Sequence, residues 1–87
     1  MIVGKVVGSV VATRKNERLL GCKFMIVEPI ENMNVNGRFI AVDNVGAGVG
    51  ETVLVACGSA ARIGCGHESA PIDAAIVGII DDPTSLN

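Results

Sequence analysis

Five short apolar runs, separated by turns rich in Gly, Pro and Asn, predict a mainly β fold. One brief Ala-rich stretch ahead of the last run reads as a helical turn. The 87 residues suffice for one small domain. Together these predict a small five-stranded β-barrel, OB-like and partly closed, with one short helical turn before the last strand.

The first run, residues 2–13, is Val-rich and has no helix cap. Val3, Val7 and Val11 alternate with Ile2, Val6 and Val10, so both faces are apolar and both need cover. Residues 14–18 are a charged turn. Residues 20–30 form the second run, stopped near Pro29, and Asn36-Gly37 is a hairpin-type turn. The third run covers residues 38–45. A loop with glycines at 46, 48 and 50 follows, and residues 52–57 are the fourth run. Residues 58–63 are the helical turn, with Ser59 as a capping candidate and Ala60, Ala61 and Arg62 as good helix formers. Residues 74–80, "AAIVGII", are the fifth run, ended by Asp81-Asp82-Pro83.

Hydrophobic residues make up 49% of the chain, yet Trp and Tyr are absent and there are two Phe. A domain of this size buries only about 60–65% of the surface its unfolded chain exposes. So many small apolar residues on so short a chain predict cover from a partner, most simply another copy of the chain. The net charge of −2 offers no footprint for nucleic acid. Single-stranded nucleic acid also needs aromatic platforms in a basic groove, and only Phe24 and Phe39 are available. No apolar stretch approaches the roughly 20 residues of a membrane span. With no signal-peptide pattern at the start and an odd count of three cysteines, the reading is cytoplasmic.

The glycine loop invites a phosphate-binding reading, and its context argues against one. The spacing is G-x-G-x-G, not G-x-G-x-x-G. Glu51-Thr52-Val53-Leu54-Val55 follows, which is strand-like, so no helix N-terminus faces an anion. Glu51 adds negative charge, and no Lys-Ser or Lys-Thr pair follows the glycines. The alternatives are a turn that needs positive φ or a place where backbones approach closely. With Ala47 and Val49 between the glycines, the loop is bare enough to suit a subunit junction.

Three stretches carry a family resemblance: "GKVVGSVVATRKNERLLGCKFMIVEP" (residues 4–29), "AVDNVGAGVGETVLVACGSAAR" (41–62) and "PIDAAIVGIID" (71–81). In order and spacing the chain resembles the bacterial microcompartment vertex proteins, the pentamer-forming family of carboxysomes and of ethanolamine- and propanediol-type compartments. The D-x-V-G-A-G-x-G-E-x-V-L-V run followed by G-S-x-A-R is the most specific part. Ala60, where Ser is usual, and residues 63–70 depart from the pattern. The resemblance implies an OB-like barrel over residues 1–82 with a tail at 83–87. It implies a homopentamer that closes the five-fold vertices of a polyhedral shell made otherwise of hexameric shell proteins, in the bacterial cytoplasm. It implies no catalytic chemistry and no cofactor, with no nucleic-acid or membrane partner. Gly46, Ala47, Gly48, Gly50, Glu51, Ser59 and Arg62 are then candidates for the subunit junction or the five-fold axis region.

Cys22, Cys57, Cys65 and His67 lack the spacing of a zinc site, since one residue separates Cys65 from His67 and no C-x-x-C occurs. Cys22 and Cys57 read as small core residues. Asp43 reads either as a solvent-facing residue or as an acceptor for backbone amides of the glycine loop, and the second reading is preferred. Glu51 and Arg62 are able to pair with one another or across a junction, although exposed pairs are worth only about 0–1 kcal/mol. Arg14 and Lys15, with Arg18, form a basic turn that is either solvated or the contact to a neighbouring hexamer at the shell edge.

Overall fold

The computed structural model describes residues 1–13, 15–31, 37–64 and 71–81. Arg14, Asn36, Cys65, His67 and residues 82–87 lie outside the described residues. The strands are β1 (Ile2–Val10), β2 (Lys23–Pro29), β3 (Phe39–Asp43), β4 (Thr52–Cys57) and β5 (Ala74–Ile80). One helix, α1 (Ser59–Gly64), precedes β5.

The strands form a closed barrel in the order β1-β2-β3-β5-β4, with β4 returning to β1. The barrel is thus fully closed, beyond the partial closure that the sequence suggests. Closure comes from a parallel β3–β5 contact of two register pairs, Val42↔Ala75 and Asp43↔Ile76. The other neighbours are antiparallel. Among the described residues, closing the sheet leaves no edge strand to template unwanted pairing.

Alternation sorts the side chains. Val53 and Val55 of β4, Met25 and Val27 of β2, Val6 of β1 and Ile76 of β5 meet in the barrel interior. None is larger than Met or Ile, which suits a narrow barrel. Gly4 lets β1 lie tight on β2: a Cβ there would stand 2.6 Å from Val27 Cγ1 and 2.8 Å from the Glu28 carbonyl oxygen. After Val6 the register slips, so Val6 faces Val27 and Gly8 faces Ile26. The slip marks a bulge at Val7.

A second, smaller cluster lies outside the barrel wall. Val42, Ala61, Ile72 and Ala75 are buried there, with Leu19, Cys22 and Phe24 packed against them. It holds α1 on the sheet, which a six-residue helix needs, because so short a helix is unstable alone.

Some boundaries shift. The strand expected over residues 2–13 ends at Val10, and Val11 is 88% exposed. The run expected from Leu20 begins at Lys23. A 3₁₀ turn, Glu17–Leu19, occupies the gap, and the Asn16 side chain accepts the Arg18 N–H. That local bond pulls the chain out of strand geometry. The third strand stops at Asp43 for a related reason, described below. The helix starts at Ser59, so Ser59 is not its cap. Gly58, with φ +64°, stands before it and its carbonyl accepts the Ala61 N–H at 3.1 Å.

Candidate functional site

The candidate residues are organised by Asp43. It shares the inward parity of Phe39 and Ala41 and falls at the mouth of the barrel, where its side chain is only 2% exposed. Its Oδ1 accepts the N–H groups of Val45 at 3.0 Å and Gly46 at 3.1 Å. This bends the chain out of β3. Across the sheet, Lys23 is the register partner of Asp43, and its Nζ lies 3.5 Å from Oδ2. Burial pushes the carboxyl pKa up, but the amides of Val45, Ala47 and Gly46 together with the Lys23 charge outweigh it. They hold the group below its ordinary value.

The glycine loop then closes on itself and on β1. Gly46 and Gly50 have φ of +82° and +95°, which L side chains rarely adopt. Between them Ala47 is fully buried and plugs the barrel core. The Gly48 N–H donates to Glu51 Oε1 at 2.7 Å, and the Glu51 N–H donates to the Gly48 carbonyl at 3.2 Å. The Gly50 N–H donates to the Val6 carbonyl at 2.8 Å, and the Val6 N–H donates to the Glu51 carbonyl at 2.9 Å. The loop is therefore stapled to β1 beside its bulge.

This arrangement answers the phosphate question. The amides that would cradle an anion are engaged by the chain's own carboxylates, Asp43 on one side and Glu51 on the other. The segment after the loop is β4, not a helix.

The structure brings Gly46, Ala47, Gly48, Gly50 and Glu51 into one loop and places Ser59 and Arg62 on α1, beyond the far end of β4. Glu51 Oε1 accepts the Gly48 N–H. The Arg62 Nη1 donates to the Ile72 carbonyl at 3.3 Å. Ser59 is exposed. Asn44 ties the two groups together: its Nδ2 donates to the Gly64 carbonyl at 3.2 Å, satisfying an acceptor at the end of α1. Lys15, in the basic turn, donates from Nζ to the Ala12 carbonyl at 2.7 Å. Cys22 and Cys57 belong to different apolar clusters, and Cys22 stands just before β2 instead of within it. Phe24 and Phe39 are likewise spent on packing.

Lys23, Asn44 and the Val6 backbone are the contributors that sequence reasoning misses. Each acts through a neighbour distant in sequence. Only the Asn44 position, next to Asp43 at a strand end, carries a local turn signal.

Residues 1–81 match the family model described as "Ethanolamine utilisation protein EutN/carboxysome". The chain belongs to the EutN/CcmL family. Among relatives in that family, the chain is 47% identical over 89 residues to the bacterial microcompartment shell vertex protein GrpN of Rhodospirillum rubrum (strain F11), across the full length of both. It is 41% identical to the carboxysome shell vertex protein CcmL of Gloeobacter violaceus, covering 93% of this chain and 83% of the relative. Solved EutN/CcmL structures agree in fold. The pentameric microcompartment shell protein GrpN from Rhodospirillum rubrum superposes with a TM-score of 0.81 at 45% identity, covering 94% of this chain and 95% of the other. The Gloeobacter violaceus CcmL structure gives 0.84 at 41% identity, covering 93% and 86%.

Proposed function

We propose that this chain is a structural shell protein of a bacterial microcompartment, and that five copies close into a ring that caps a vertex of the polyhedral shell. The observation that carries this reading is the full-length likeness to GrpN, a microcompartment shell vertex protein whose solved structure is that of a pentameric shell protein. The chain's own chemistry supports it. Val45 precedes the glycine loop, Val49 lies within it, and they are 41% and 66% exposed. Apolar exposure beside a preformed backbone loop suits a contact with a second copy. A five-fold ring uses a heterologous interface, one patch against a different patch, and closes when the rotation per subunit is right. The role is structural and involves no catalysis and no cofactor.

Within this reading, the loop of Gly46, Ala47, Gly48, Gly50 and Glu51 lies at the subunit junction close to the five-fold axis, with Ser59 and Arg62 on the adjoining helix. Arg14 and Lys15 face the neighbouring hexameric shell protein. The protein resides in the shell, within the bacterial cytoplasm.

Absolute mass in solution tests the reading. The subunit is 8.9 kDa, so native mass spectrometry should give a ring of about 45 kDa. A stable monomer at micromolar concentration overturns it.

A further inference from the structure

We propose that Asp43 is the positioning residue for assembly: its carboxylate, gripped between the loop amides and Lys23, sets the glycine loop in the free subunit so that only a chain with Asp43 ionised closes the ring efficiently. This rests on the pentamer reading and names the group that controls it.

Geometry carries the argument. Asp43 is nearly sealed from solvent, yet it touches both parts that must stay in register. Oδ2 meets Lys23 on β2, and Oδ1 meets Val45 and Gly46 in the loop. Its neighbour Asn44 reaches α1 at Gly64. One carboxylate thus fixes the loop against the barrel wall, while the adjacent amide fixes it against the helix. An interface element ordered before association avoids the entropy cost of ordering it on contact. Removing the charge leaves the amides of Val45 and Gly46 facing a weaker acceptor, and the exposed valines of the loop lose their fixed position.

The link to pH has a definite sign. Lys23 from β2 is the charged group facing Asp43. Glu51, the other carboxylate of the loop, is engaged at Gly48, and β5 opposes Asp43 with uncharged Ile76. In the ordered loop the Asp43 pKa lies below its ordinary value. A released loop returns it to about 4. The ordering is therefore fully present above about pH 4 and is lost as pH falls through the lowered value.

The test measures the oligomer population of wild type and Asp43→Asn by native mass spectrometry across a pH series, with far-UV circular dichroism on the same samples. Asp43→Asn should keep the barrel signal but raise the subunit concentration at half-assembly at least about ten-fold at pH 7. Its assembly should then show no further loss on acidification through the range in which wild type dissociates. A pentameric wild type with an equally pentameric Asp43→Asn overturns the inference and leaves the pentamer reading standing. A monomeric wild type at pH 7 overturns both. Should Asp43→Asn fail to fold, the wild-type titration decides. Dissociation ahead of barrel unfolding supports the inference, and a ring intact until the barrel melts overturns it.

Discussion

Gly4 and Gly48 are both glycines without positive φ, and the chain treats them in opposite ways. At Gly4 the barrel wall leaves no room: a side chain would run into the Val27 methyl and the Glu28 carbonyl. At Gly48, among the described residues, a built Cβ comes within 4 Å of Glu51 Oε1 alone, at 3.4 Å, a side-chain atom and not backbone. The first glycine is required by the subunit's own packing. The second is not, and under the proposed ring its bareness is assigned to the contact between subunits. The comparison separates two kinds of glycine that look alike in the one-letter code: one that folding requires, and one that the proposed ring, not the subunit, would require.

The largest effect should follow from breaking the first kind. In Gly4→Ala the methyl meets backbone, which has little freedom to retreat inside a closed barrel. Overpacking of this sort costs on the order of 1–3 kcal/mol. For a domain of this length each kcal/mol lowers Tm by roughly 4–8 °C. Thermal unfolding at fixed protein concentration reads it out, since a ring that dissociates makes Tm concentration-dependent. A melting curve superimposed on wild type would contradict the tight β1–β2 approach.

The second kind breaks differently. Gly48→Gln adds a neutral side chain and so avoids placing a second carboxylate beside Glu51. The subunit's stability should change by no more than about 1 kcal/mol. The ring should nevertheless give way to smaller species in native mass spectrometry. Equal ring formation by Gly48→Gln and wild type would move the junction away from this loop. A Gly48→Gln protein that no longer folds would erase the contrast with Gly4.

How much of this was legible in the sequence follows the same division. Strands whose signal is local match their expected bounds: residues 52–57 follow a Gly-rich loop, residues 74–80 precede Asp-Asp-Pro, and each run contains at least three β-branched residues. Asp43 accepts the loop amides of Val45 and Gly46 as its position predicts, because an Asp two residues before the bend is a local device. The Val7 bulge, the two-pair parallel closure of β3 on β5, and Lys23 opposite Asp43 were not legible. Each is a fact of register, and register is decided between strands, not along one. The expected second strand began too early because Leu20 and Cys22 are apolar. They are used instead beside the 3₁₀ turn, with Leu20 66% exposed and Cys22 packed on the outer cluster. Ser59 looked like a cap by composition, but Gly58 could take φ +64° and so stands before the helix in its place.

The basic turn carries the smallest expected effect on the subunit and sharpens the comparison from a third side. Among the described residues its polar bonds stay within the segment: Lys15 to Ala12, Arg18 to Asn16. Neither the barrel closure nor the glycine loop depends on them. Replacing Arg14 and Lys15 with Ser should therefore shift stability by no more than about 0.5 kcal/mol and leave the ring at full mass. What should fall is incorporation of the ring into shells when it is co-expressed with hexameric shell proteins, measured as vertex protein per purified shell. Incorporation of the parent should itself fall as ionic strength rises, narrowing the gap, because exposed charge pairs are screened over about 8–10 Å in ordinary buffers. Equal incorporation of parent and variant at low salt would make the turn merely solvated. A ring that fell apart would place these residues at the subunit junction, on the same footing as Gly48.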